Sequence, residues 1–188
     1  MNIEKFNRQL RKRISNILKT KAPTSLRKAK LILYTSTTIS SYEELVATGS
    51  GLASFTVNGY LIVRKKPYKF LPPIKKESYK IFHLRVDGGF KERCVQRLAI
   101  SPHLRRLGIG SCIINTLAEF AYADGECVSA FVGGYEFMDS GLDNLLGEPK
   151  EEEVDNIAFW ESLGFVKSDD LLDMGRDDYY IKADSVQV

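Results

Sequence analysis

The stretch that most limits how this chain can fold is V-Q-R-L-A-I-S-P-H-L-R-R-L-G-I-G, from Val95 to Gly110. Val95 to Ile100 reads as a strand that Ser101-Pro102 breaks. A basic turn with two glycines follows and runs into a helix beginning near Ser111. The first N–H groups of such a helix have no intrahelical partner, and its dipole is positive there, so the turn is suited to an anion. Gly108 and Gly110 allow close backbone approach to a phosphate, and Arg105 and Arg106 add fork-shaped cationic donors. The stretch therefore predicts a site for a phosphate-bearing cofactor.

The rest of the chain supplies a sheet around this unit. Ile3, Phe6, Leu10, Ile14 and Ile17 recur at spacings of three and four, which predicts an amphipathic helix over residues 3 to 19. Its other positions are basic, and Pro23 closes it. A basic amphipathic helix can meet nucleic acid, an anionic membrane or an acidic partner, but the stripe alone is the usual mark of packing on its own domain. Leu31 to Thr35, Leu52 to Val57, Tyr60 to Arg64 and Tyr79 to Val86 read as strands. Asn58-Gly59 predicts a hairpin turn, and Asp87-Gly88-Gly89 another turn. A brief helix from Ser41 and a Lys/Pro-rich loop from Lys65 to Lys76 fill the gaps. Beyond the basic turn, Ile113, Ile114, Leu117, Ala118 and Ala121 continue the helix to Asp124-Gly125, and Val128 to Val132 is a buried strand. A helix from Pro149 to Leu163 and strands at Val166 and Tyr179 to Lys182 close the chain. The boundaries expected are a basic N-terminal helix or arm over 1–22 and one domain over 23–188.

Charge is segregated although the net charge is only +3: Lys and Arg dominate through Lys80, and Asp and Glu from Glu136 onward. Three cysteines without C-x-x-C spacing suggest reduced thiols. Neither His83 nor His103 has ligand spacing with them, so no metal is expected. No run approaches bilayer length, and no apolar leader segment precedes the first helix, which predicts a soluble, cytoplasmic protein without a membrane partner.

Two motifs resemble those of the GNAT N-acetyltransferases. One is R-x-x-G-x-G, here Arg105-Arg106-Leu107-Gly108-Ile109-Gly110, preceded by L-A-I-S-P. The other is the aromatic-x-x-x-G-F close of a helix, within Phe159-Trp160-Glu161-Ser162-Leu163-Gly164-Phe165. The resemblance implies an α/β (α+β) fold with a central mixed, mostly antiparallel twisted sheet flanked by helices. It implies acetyl-CoA as cosubstrate and direct transfer of acetyl from the thioester to a primary amine. Arg105 to Gly110 and Ser111 would hold the pyrophosphate, Leu98, Ala99 and Ile100 would pair with the pantetheine arm, and Asn156 and Trp160 would line it. The family usually has a tyrosine proton donor where Trp160 stands, and an indole N–H is no useful acid.

Candidate catalytic residues are Glu92, Tyr135 and Glu136, with Asp87 and His83 as other bases; Tyr179 and Tyr180 could line the acceptor site, and His103 the cofactor turn. The acidic stretch from Asp139 to Asp155 suits a cationic acceptor: a small amine, or a lysine or N-terminus of a protein. Alternatives are a CoA-binding module without turnover, and a nucleic-acid- or ribosome-associated acetyltransferase guided by the N-terminal helix. The sequence leaves monomer and homodimer open.

Overall fold

A computed structural model of the protein describes residues 1–38, 52–64, 76–89, 91–133, 141–149, 155–169 and 178–182, without the side chains of 52, 53, 64 and 76. The helix expected from Ser41, most of the Lys/Pro-rich loop, Tyr135, Glu136 and Glu151 to Glu153 lie outside the described residues.

The elements in chain order are α1 (Ile3–Lys21), β1 (Lys30–Thr38), β2 (Leu52–Arg64), β3 (Lys76–Gly89), β4 (Glu92–Ile100), a 3-10 turn (Pro102–Leu104), α2 (Ile109–Ala123), β5 (Cys127–Phe131), α3 (Asp143–Leu146), α4 (Asn156–Glu161), β6 (Phe165–Lys167) and β7 (Tyr179–Lys182). The strands form one seven-stranded sheet in the order β1-β2-β3-β4-β5-β7-β6. Only β4 and β5 are parallel neighbours; every other pair is antiparallel. The fold is mixed α/β, with a mostly antiparallel sheet flanked by helices. No described helix is long and apolar enough to cross a membrane.

Alternation along the strands divides the sheet into two faces. Phe55, Val57, Leu61, Phe82, Leu84, Val86 and Val95 are buried together on one face. α1 and α2 pack there: Phe6 of α1 meets Phe55 edge-on at 5.9 Å and Phe120 of α2 at 5.8 Å between ring centroids. Phe6, Leu10, Ile14 and Leu18 are the buried stripe of α1 and belong to the same core as α2 and the sheet. Full burial of each such side chain contributes about 1.5–3 kcal/mol. Arg13 locks the two helices with a forked pair to Glu119 (2.7 and 2.8 Å) and a bond to Thr116.

Asn58-Gly59 is not a hairpin turn. Both residues lie inside β2, and a Cβ on Gly59 would stand 2.1 Å from Cε1 of Phe82. The glycine is there because the Phe82 ring lies over its backbone, a close approach that marks glycines within strands. The register slips at Gly59–Tyr60, where β3 carries the extra residue Ile81. Asp87-Gly88-Gly89 likewise belongs to β3, which reaches Gly89 before Lys91 turns the chain at φ 56°. Of the helix expected from Pro149 to Leu163, the described part is Asn156–Glu161, whose start Asp155 caps by accepting from the Ala158 N–H at 2.9 Å; residues 150–154 lie outside the described residues.

Candidate functional site

β4 sits at the centre of the sheet, and its two edges are used differently. On the β3 side, pairing runs from Gly89–Glu92 to Phe82–Ile100, with Gln96 as an extra residue between Val95 and Arg97. On the β5 side, pairing covers only Glu92 to Val95, opposite Cys127 to Ala130. From Gln96 to Ile100, therefore, β4 has no strand partner on that side among the described residues. A bulge where pairing ends is a common device for turning a strand edge toward a ligand.

That open segment leads straight to the basic turn. The Ser101 N–H donates to the Ile81 carbonyl at 2.9 Å, anchoring the start of the 3-10 turn, and Arg105 Nε donates to the Ile100 carbonyl at 3.3 Å. Arg106 and Gly108 both take left-handed backbone conformations, at φ 59° and 88°. Gly108 is the N-cap of α2, which has no side-chain cap bond, and no atom of the described residues lies within 4 Å of where its Cβ would be. The first turn of α2 thus starts without a side-chain cap, directly after Arg105 and Arg106 in the chain. Gly110 has a different role: its Cβ would come within 3.1 Å of the Phe159 ring, so the glycine lets α4 lie against the first turn of α2.

The other sequence-predicted residues divide. Leu98, Ala99, Ile100 and the Arg105–Ser111 turn are contiguous along this edge. Ile109 is buried and anchors the α2 start in the core, while Leu107 packs at its margin. Trp160 is turned into the core at 5% exposure, edge-on to Phe159 at 5.3 Å and Phe165 at 4.9 Å. Asn156 occupies the first position of α4. His103 is tied to Asp143 at 2.6 Å, and Asp155 is the α4 cap, so two acids of the stretch read as an acceptor lure have structural partners.

Glu92 lies on the sheet face opposite α1 and α2, at the paired end of β4. One carboxylate oxygen, Oε1, accepts hydrogen bonds from the Ser129 hydroxyl and, at 2.6 Å, from Tyr179. Burial and then this bond to Glu92 push the Tyr179 phenol well above its usual range, so it keeps its proton. Asp87 is engaged by Arg85 at 3.3 Å. His83, the cross-strand partner of Ala99, bonds Asn58 Oδ1 at 2.9 Å. Burial first, and then Lys80, Arg97 and Arg85, lower His83 to about 4. It is a neutral imidazole at neutral pH and a weak proton acceptor. Of the described candidate bases, Glu92 is the carboxylate positioned by two neutral donors rather than neutralised by a cation.

Sequence reasoning missed Ser129, Phe159 and the Gln96 bulge. Phe159 is adjacent in sequence to the residue singled out, Trp160, and only packing shows which ring faces α2. Ser129 has no local signal, being brought to Glu92 by the parallel β4–β5 pairing. Among the described residues no cluster of His, Cys, Asp or Glu is arranged to hold a metal. No protein-family model matches the chain, and no curated protein matches it significantly.

Proposed function

We propose that the protein is an acetyl-CoA-dependent N-acetyltransferase of the GNAT type, transferring acetyl to a primary amine. The observation that carries this reading is the end of β4–β5 pairing at Val95, which leaves Gln96 to Ile100 without a described strand partner on that side, ahead of an α2 start that has no side-chain cap and follows Arg105 and Arg106. The residues fit the ligand. The open edge from Leu98 to Ile100 offers peptide groups for the amides of a pantetheine arm. The clear space at Gly108 and the N–H groups of Gly108 to Ser111 suit a pyrophosphate, a charge that a helix start favours.

The thioester supplies an activated acyl group. The chain's own contribution is mostly positioning, by the β4 edge and the α2 turn. Glu92 lies six residues, about 20 Å along the strand, from Leu98, so it takes up the acceptor's proton through a chain of waters rather than by direct contact, its carboxylate oriented by Ser129 and Tyr179. With Trp160 packed in the core, no side chain at its position protonates the leaving thiolate, so the thiolate leaves directly. The same observation favours a second reading, a CoA-binding module without turnover.

Thermal unfolding with acetyl-CoA tests the site. Ligand at 100 times its dissociation constant should add about 2.7 kcal/mol. For a chain of this size that is a rise of roughly 5–11 °C. Gly108→Glu should abolish the rise, and because Gly108 is left-handed at φ 88° it should also lower the unliganded melting temperature by about 2–8 °C. No rise at millimolar ligand rejects both readings, and free-thiol release with a panel of amines separates them.

A further inference from the structure

The outer face of α1 takes no part in the site above. Residues 1–30 hold ten Lys and Arg and a single acid, Glu4. Arg13 is engaged by Glu119, and Arg27 Nε donates to the Ala22 carbonyl. Lys5, Arg8, Lys12 and Lys19 are exposed on the side away from Phe6, Leu10, Ile14 and Leu18, and Arg11 is exposed on the flank of that stripe. Lys5, Arg8, Lys12 and Lys19 follow one another at steps of three, four and seven, forming one line of cations roughly 21 Å long at 1.5 Å per residue. Beside that line, Glu4, Asn7, Arg8, Arg11 and Leu33 surround an open hollow of about 330 Å³ between α1 and β1. Asn7 is held in place by its amide nitrogen, which donates to the Thr35 hydroxyl at 2.8 Å.

Three kinds of partner carry enough negative charge, and the rest of the helix chooses among them. A helix that binds a bilayer buries an apolar face in it, whereas the apolar face of α1 is already in the protein core. A protein interface depends on aromatic or aliphatic anchors. The exposed large hydrophobic residues among those described are Tyr34, Ile157 and Val166, none of them on α1. A face of cations alone, held straight and at fixed spacing, suits a chain of phosphates, to which arginine forks bond in pairs. We infer that the exposed face of α1, with the hollow beside it, is a docking surface for the phosphate backbone of a nucleic acid.

The test is fluorescence anisotropy of the full chain with a labelled 20-nucleotide RNA and a DNA of the same sequence. Four cations on single-strand phosphates should weaken binding roughly 50-fold between 50 and 200 mM salt. The exposed triple variant Arg8→Gln/Lys12→Gln/Lys19→Gln, shown to be folded by circular dichroism, should leave about a threefold dependence. The control Lys91→Gln/Lys167→Gln should keep that of the parent. Binding of either nucleic acid in this pattern supports the surface, and the tighter of the two names its source. Absence of binding at 50 mM salt, or a triple variant with the parent's salt dependence, overturns it. So does tighter binding to phosphatidylserine vesicles or to polyglutamate than to either nucleic acid.

Discussion

Gly59→Ala is the substitution whose effect the structure fixes most closely. Its new methyl would lie 2.1 Å from Cε1, 2.4 Å from Cδ1 and 2.9 Å from Cζ of Phe82. Carbon atoms normally meet at about 3.5–4.0 Å, so the ring must retreat by roughly 1.5 Å. Phe82 is fully buried, which leaves it nowhere to go. Overpacking of this kind costs about 1–3 kcal/mol, and the severity of the clash places it at the upper end. Replacing a strand glycine returns about 0.5–1 kcal/mol through chain entropy. The expected net loss is about 2 kcal/mol, read by urea denaturation, or a melting temperature lower by roughly 4–8 °C. The decisive measurement is the double-mutant cycle with Phe82→Ala. That change costs stability by itself but removes the offending ring atoms, so adding Gly59→Ala to it should be neutral or slightly stabilising. An equal cost in both backgrounds would refute the argument that the glycine exists for this ring.

Arg93 and Glu126 form a buried forked pair at 2.6 and 2.5 Å, with side chains 8% and 12% exposed, so Glu126→Ala should destabilise by about 3–5 kcal/mol in the same denaturation assay. His83 should make stability fall as pH drops from about 6.5 toward 4. In that window the unfolded chain binds a proton that the folded chain refuses, and at neutral pH the residue contributes nothing. His83→Gln should flatten that part of the difference curve between variant and parent. If the protein turns over, Glu92→Gln should lower kcat by 10²- to 10⁴-fold with little change in the thermal shift given by acetyl-CoA, as proton removal and cofactor binding lie at different ends of β4.

The strand–turn–helix unit was legible because everything that defines it is local. Pro102 stops β4, Gly108 takes a backbone angle that disfavours side chains, and the α2 stripe has a clear period. The α1 packing face was legible for the same reason. What the sequence hid depends on contacts between distant residues. Asn58-Gly59 carries the local chemistry of a turn, yet Phe82 and the pairing of β2 with both β1 and β3 hold it in an extended strand. The end of β4–β5 pairing at Val95 has no residue that announces it. Glu92 could be named from its place in the strand, but its hydroxyl donors come from β5 and β7, 37 and 87 residues further along.

The seating of α1 also orders events during synthesis. Its apolar stripe emerges first, but Arg13 waits for Glu119, 106 residues later, and Phe6 for both Phe55 and Phe120. At about 5–20 residues per second a ribosome needs roughly 5–20 s to deliver that partner. Until then the nascent chain presents a short helix, unstable by itself, with aliphatic residues on one side and a dense positive charge on the other. The core of this protein is complete only when its first helix meets α2, so a chain stalled before residue 120 carries every residue of α1 and only the sheet side of the site that receives it.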